Sequence, residues 1–184
     1  MLQADALFQK GLLPAIPKTK TGKNLYRRQS LIILIIGKTY PYYSLNYANM
    51  AYKIHRQAKG IYKKFSGFLT AEEFRESMMR FYADPDFENF LFSINDFTAL
   101  TGFDISDKDI RTFAAHRLGA AFTAPVLVAV VATDPAIIAT ISGYQKLTAS
   151  TSATEIFPTL DEALAWLKEK TGLTITVPED QRRS

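Results

Sequence analysis

The sequence of 184 residues predicts an α/β fold with a mixed, mostly parallel sheet and helices packed on it. Three observations support this class. Short β-branched runs alternate with segments whose apolar residues recur three and four positions apart. Each helical segment opens with a capping signal, and a hairpin pattern precedes the first of them. Strands separated by single helices pair in parallel through right-handed crossovers, so the predicted order is β-β-α-β-α-β-α-β-α.

The two predicted hairpin strands are Tyr52–Gln57 and Ile61–Phe65, joined by a turn at Ala58-Lys59-Gly60 and ended by Gly67. The segment Thr70-Ala-Glu-Glu73 has the spacing of a capping box and predicts the start of the first helix. Asp84-Pro85-Asp86 ends this helix.

The central predicted strand is Phe90–Asp96, and it is followed by a predicted loop, Phe97–Ile105. Ser106 opens the next helix as its N-cap, with Asp109 in the reciprocal position. In open α/β sheets, ligands and partners bind where strands hand over to helices. The loop is therefore the first place to look for a site.

The remaining elements follow the same alternation. Pro125–Val131 is the most strand-like run, and Asp134-Pro135 predicts an N-cap and first-turn proline for another helix. Glu155–Phe157 is a short strand, and Thr159 repeats the capping signal for the last helix. Leu173–Val177 is a candidate additional strand.

Composition limits the chemistry. Hydrophobic residues make up 47% and charged residues 22%, as in ordinary soluble globular proteins. The chain has no cysteine, which excludes disulfides and thiolate metal sites. The two histidines, His55 and His116, share no ligand spacing. We therefore predict neither a metal site nor a cofactor.

The first 49 residues differ from the rest. They carry seven Lys or Arg residues against one acid, Asp5, whereas the remainder has a net charge of −2. The aliphatic run Leu31–Ile36 is far shorter than the roughly 20 residues of a membrane span, so no stable span is predicted. Two interpretations stay open. Residues 1–49 are a mobile extension, or the natural start is Met50, where composition, charge and periodicity all change.

Several motifs resemble the STAS superfamily, the fold of anti-sigma-factor antagonists, and in particular uncharacterised bacterial STAS-like proteins grouped with the SEC14 shape. The resemblance covers Met50 to about Lys170. It is carried by Phe65–Phe74, Ile94-Asn95-Asp96, Val126–Val131 with Asp134, and Ile156–Leu167.

The resemblance implies a non-catalytic regulatory or protein-interaction module of the bacterial cytoplasm, with a protein partner or self-association. Well-known STAS domains carry a phosphorylated Ser or Thr in an Asp-Ser-[Ser/Thr]-Gly motif. This chain has Phe103-Asp-Ile-Ser-Asp107 there, without the motif or its glycine. Ser106 stands near the corresponding position, which makes it a candidate phosphorylation site, but the missing motif favours its role as an N-cap alone.

The candidate contact surface is the predicted loop together with the last residue of the strand before it. Its residues are Asp96, Phe97, Leu100, Phe103 and Asp104. Its large apolar side chains either fold under the sheet edge or form an exposed contact patch. Asp96 is a candidate general base, or else an acceptor for backbone donors of the next segment.

Basic residues of the hairpin form a second candidate surface beside Tyr62. We predict a solvated face here, not a nucleic-acid site, because the domain is net negative. The residues are Lys53, Arg56, Lys63 and Lys64.

The predicted domain spans residues 50–172, with an extension over 1–49 and a C-terminal tail over 173–184. The alternative function is binding of a lipid or another apolar small molecule. That function requires an apolar pocket of about 300 Å³ or more.

Overall fold

A computed structural model describes residues 50–151 and 153–178 of the chain. The strands are β1 Tyr52–Gln57, β2 Gly60–Thr70, β3 Phe92–Asp104, β4 Leu127–Val131 and β5 Thr154–Phe157. The helices are α1 Ala71–Tyr82, α2 Asp107–Ala121, α3 Pro135–Thr148 and α4 Leu160–Thr171, with a 3₁₀ turn at Phe87–Asn89. The order is the predicted β-β-α-β-α-β-α-β-α.

The five strands form one sheet in the order β1-β2-β3-β4-β5. β1 pairs antiparallel with β2, and the other three pairings are parallel. The predicted α/β class and mostly parallel sheet are therefore confirmed. Each crossover advances to the next strand in one direction, so right-handed connections place α1, α2 and α3 on the same face. α4 follows the last strand and packs on the other face, through Ala163 and Leu167.

The helix starts follow the predicted caps. Thr70 and Ser106 each form a complete capping box, with Glu73 and Asp109 respectively. The Asp134 carboxylate accepts from the backbone N–H of Ala136 at 2.7 Å. These short polar side chains satisfy backbone donors that a helix leaves without internal partners, which is why the helices begin where they do.

Two strand ends differ from the prediction. β2 continues past Gly67 to Thr70, because Gly67 adopts a φ of +73° at an irregularity of the ladder and the strand resumes beyond it. The predicted loop Phe97–Ile105 is wrong. β3 runs through to Asp104, and Ser66↔Ala99 through Thr70↔Asp104 pair with the extended β2. Ala99–Asp104 forms a strand because the extended β2 is long enough to pair with it in parallel.

The segment predicted as an additional strand, Leu173–Val177, forms none. Ile175 and Val177 are nevertheless buried against the α4 side of the sheet. The side-chain amide of Gln57 donates to the carbonyl of Thr176 at 2.8 Å. The segment therefore covers the core through its side chains, without joining the ladder.

The predictions for residues 1–49, including the run Leu31–Ile36, and for residues 179–184 lie outside the described residues. Within 50–151 and 153–178, no helix combines the length and apolar character needed to cross a membrane. The predicted domain boundaries stay a prediction.

Candidate functional site

Three polar side chains lie on the face of the sheet that α1, α2 and α3 cover. Lys63 of β2 is directly opposite Asn95 of β3, and Ser93 is two positions before Asn95. Residues two apart in a strand point to the same face, so the sheet itself groups these side chains. All three are buried.

Arg117 adds a second buried cation from α2. It is 1% exposed, and its Nη2 donates to the carbonyl of Val126. Arg117 stands seven positions after Ile110 and three after Ala114 in the inward stripe of the helix. Helical periodicity therefore carries the guanidinium toward the sheet.

These groups surround a cavity of about 50 Å³. Its lining includes Lys63, Ser93, Asn95 and Arg117, together with Thr154 of β5. Three of the buried side-chain oxygens in this lining have no hydrogen-bond partner among the described residues: Ser93 Oγ, Asn95 Oδ1 and Thr154 Oγ1. Buried polar atoms are rarely left without partners, so this cavity is the chemically distinctive part of the interior.

Burial, together with the nearby positive charge of Arg117, lowers the pKa of Lys63 to about 7. The ammonium lies 5.9, 6.0 and 5.7 Å from the ring centroids of Phe65, Phe74 and Phe81. Such ring faces attract a cation and offset part of its desolvation.

The predicted solvated basic face is wrong for Lys63 and Lys64, which are both buried. Consecutive residues of a strand point to opposite faces, so the two lysines do not share a surface. Lys63 follows Ile61 and precedes Phe65 in the same alternation. The alternation along the strand was therefore a sequence signal for the burial of Lys63. For Arg117, the corresponding signal was its position in the inward stripe of α2.

Asp96 is also buried, and its surroundings fit the acceptor interpretation. It accepts from the Tyr62 hydroxyl at 2.6 Å, the Thr98 backbone N–H at 2.9 Å and the Thr98 hydroxyl at 2.6 Å. Three donors of this kind hold the carboxylate in place, and these contacts explain its burial without a catalytic role.

The other predicted contact residues divide into three environments. Phe97 is buried and stacks on Phe65 with a centroid distance of 4.8 Å. Leu100 and Phe103 are half-buried and pack against the core cluster that contains these two rings. Asp104 is exposed. The apolar side chains thus mainly fold under the sheet, which was one of the two open interpretations.

The C-terminal parts of β2 and β3 pair with each other beyond the ends of β1 and β4. We call these paired segments, Ser66–Thr70 and Ala99–Asp104, the strand extension. β4 pairs with β3 only as far as Asp96. Within the described ranges, no strand pairs with Ala99–Asp104 on that side. Phe68 of the extension is 58% exposed. An open backbone edge beside an exposed ring can accept another chain.

Ser106 is exposed at the start of α2. Its hydroxyl and backbone N–H both donate to the Asp109 carboxylate, and the Asp109 N–H donates back at 3.3 Å. These bonds from Ser106 lower the pKa of Asp109. The N-cap role is confirmed, and phosphorylation stays a prediction.

Two cavities among the described residues are too small for a carrier of apolar molecules. One has a volume of about 50 Å³ and the other about 30 Å³, against the roughly 300 Å³ of a drug-sized site. Over the same described ranges, no group of three His, Asp or Glu side chains is placed to hold a metal ion.

No protein-family model matches the chain. No curated protein matches it in sequence. Among solved structures, it is similar to the anti-sigma factor antagonist SpoIIAA in its unphosphorylated form, with 9% identity and a TM-score of 0.47 over 67% of this chain and 100% of that one. It is also similar to an uncharacterised DUF3478-family protein with a SpoIIAA-like fold from Shewanella loihica PV-4. That comparison gives 18% identity and a TM-score of 0.41 over 64% of this chain and 92% of that one. The likeness to both proteins concerns the fold alone, and the described residues of this chain form a five-stranded sheet with four helices.

Proposed function

We propose that the protein is a non-catalytic regulatory module of the cytoplasm that binds a protein partner through the strand extension. The observation that carries the proposal is the open edge of Ala99–Asp104 beside the exposed ring of Phe68. An added strand would hydrogen-bond to the free backbone edge, and the ring would supply an apolar anchor.

The composition of the edge supports this use. Natural edge strands are usually blunted by Lys, Pro or a covering element. The edge segment reads Ala-Leu-Thr-Gly-Phe-Asp and contains neither Lys nor Pro. The only charge is the terminal Asp104. The partner tested first is a second copy of this chain, because every copy offers the same edge.

The test is sedimentation equilibrium of the full chain combined with amide hydrogen exchange. We expect self-association, and slower exchange of Ala99–Asp104 amides as the protein concentration rises. Phe68→Ser should weaken association at least about tenfold, as removal of an interface anchor does. The matched control is Phe122→Ser, which removes a ring that is 95% exposed elsewhere on the molecule.

An association constant that Phe68→Ser leaves unchanged would contradict the proposal. Exchange rates of the Ala99–Asp104 amides that do not depend on protein concentration would also contradict the proposal. A chain that stays monomeric throughout would reject the second copy as the partner.

Ser106 remains our candidate for regulation of this module by phosphorylation. A phosphate there would lie at the N-terminus of α2, where backbone N–H groups favour negative charge, although Asp107 and Asp109 would repel it. Mass spectrometry of protein isolated from cells tests this directly.

A further inference from the structure

The cavity behind the sheet contains two positive groups and no acid. Lys63 is 3% exposed, and Arg117 reaches the same cavity from α2. Among the described residues that line it, none is Asp or Glu. Buried charges in proteins are normally paired with opposite charges. The buried ammonium of Lys63 therefore indicates a place for a negative group that the lining itself does not provide, and the positive charge of Arg117 favours the same ligand.

The neutral groups of the lining can bind such a group. The Ser93 and Thr154 hydroxyls are buried without hydrogen-bond partners, and each can donate to an oxygen atom. Asn95 Oδ1 is also buried without a partner, and as an acceptor it suits the Lys63 ammonium, which is opposite Asn95 in the register. Hydrogen-bond donors therefore reach the cavity from β3 and β5 as well as from the two cations.

The size of the cavity limits the ligand. One water position needs about 10–15 Å³, so a cavity of about 50 Å³ has room for about three or four non-hydrogen atoms. Nucleotides and sugar phosphates are too large. The rest of the lining is mostly apolar and includes the rings of Phe74 and Phe81, which favours a ligand with few polar atoms.

We propose that this cavity binds a small planar oxyanion of the carboxylate, nitrate or bicarbonate class, held by Lys63 and by hydroxyl donors from the sheet, beside the positive charge of Arg117. The site lies under the helices, apart from the strand extension, and does not depend on the proposed function. A bound anion would also keep the Lys63 ammonium charged at pH values where burial otherwise favours the neutral amine.

The test uses the full chain and formate, whose single proton gives an isolated NMR signal. Met78 lines the cavity, so its methyl group is the reporter. We expect a saturable nuclear Overhauser effect from the formate proton to the Met78 methyl, which nitrate removes by competition. A nuclear Overhauser effect from the water resonance to the same Met78 methyl group, without one from formate, would show that the cavity contains only water.

Lys63→Met keeps the length of the side chain and removes its charge. It should weaken formate binding at least about tenfold, because a hydrogen bond to a charged group is lost. Lys53→Met makes the same change on an exposed residue of the neighbouring strand and should leave binding unchanged. Ser93→Ala provides a milder second variant, should Lys63→Met fail to fold, and should weaken binding several-fold.

Absence of a saturable formate effect in the unaltered protein, with transfer only from water, would overturn the proposal. Unchanged formate affinity in Lys63→Met, or in Ser93→Ala, would overturn it as well.

Discussion

At the scale of single residues, Lys63 is the side chain whose environment departs most from its chemistry. It is buried, yet no acid lines its cavity among the described residues. Three phenylalanine rings within 6.0 Å of its ammonium offset only part of the lost hydration. Burial therefore disfavours the charged form of this lysine, and its pKa is lowered to about 7.

The first prediction concerns stability and pH. The pKa of Lys63 is about 7 in the folded protein against 10.5 when unfolded, so the unfolded chain binds more protons between these values. Stability should therefore rise with pH across this window. In urea unfolding, the unaltered protein should gain up to roughly 3 kcal/mol relative to Lys63→Met between pH 7 and pH 9.5.

The two tyrosines of the cavity do not change charge in that window. Burial raises the pKa of Tyr82 to about 12, and burial also raises the pKa of Tyr144. Identical pH profiles for the two proteins would show that Lys63 is not the group responsible.

At the scale of elements, the close contact between β2 and β3 depends on Gly60. A Cβ atom there would lie 2.3 Å from the carbonyl oxygen of Phe92. Gly60 also pairs with Gln57 of β1, so the backbone is held on both sides. The start of the central pairing therefore requires a residue without a side chain.

The second prediction compares two glycine substitutions. Gly60→Ala should lower the free energy of unfolding by about 2 kcal/mol or more, because a backbone atom must move to admit the methyl group. Gly143→Ala in α3 meets nothing within 4 Å and should raise stability by roughly 0.5–1 kcal/mol. Thermal unfolding measures both, and equal effects would show that the contact at Phe92 is not limiting.

At the scale of the whole molecule, the sheet separates two environments. The face under α1, α2 and α3 contains the cavity and its cations, whereas the face under α4 is covered by Ala163, Leu167 and the segment with Ile175 and Val177. The described residues thus enclose the sheet from both sides. Because residues from Met50 onward cover both faces of the sheet, we expect them to fold without residues 1–49.

The third prediction is that a chain starting at Met50 melts within a few degrees of the full chain. The motivation is the change of composition at Met50 and the complete strand order beyond it. Differential scanning calorimetry of both chains checks it. A loss of more than about 2 kcal/mol, which is large against the stability of a domain, would show that residues 1–49 supply part of the core.

Local signals predicted the elements well because each is encoded by neighbouring residues. The capping boxes at Thr70 and Ser106 and the apolar run at Leu127–Val131 needed no distant partner to be recognised. The strand extension was missed because Ala99–Asp104 has few β-branched residues and becomes a strand only by pairing with the extended β2.

The sequence by itself determined the fold class, the order of elements and the helix starts, since periodicity and capping are local properties. Only the tertiary structure decided where the charges of Lys63 and Arg117 lie. Their burial depends on which face of the sheet three crossovers cover, and on a helix and two strands meeting around one cavity. Alternation along β2 and the inward stripe of α2 indicate that each side chain is buried, but which side chains meet around one cavity depends on contacts between residues distant along the chain.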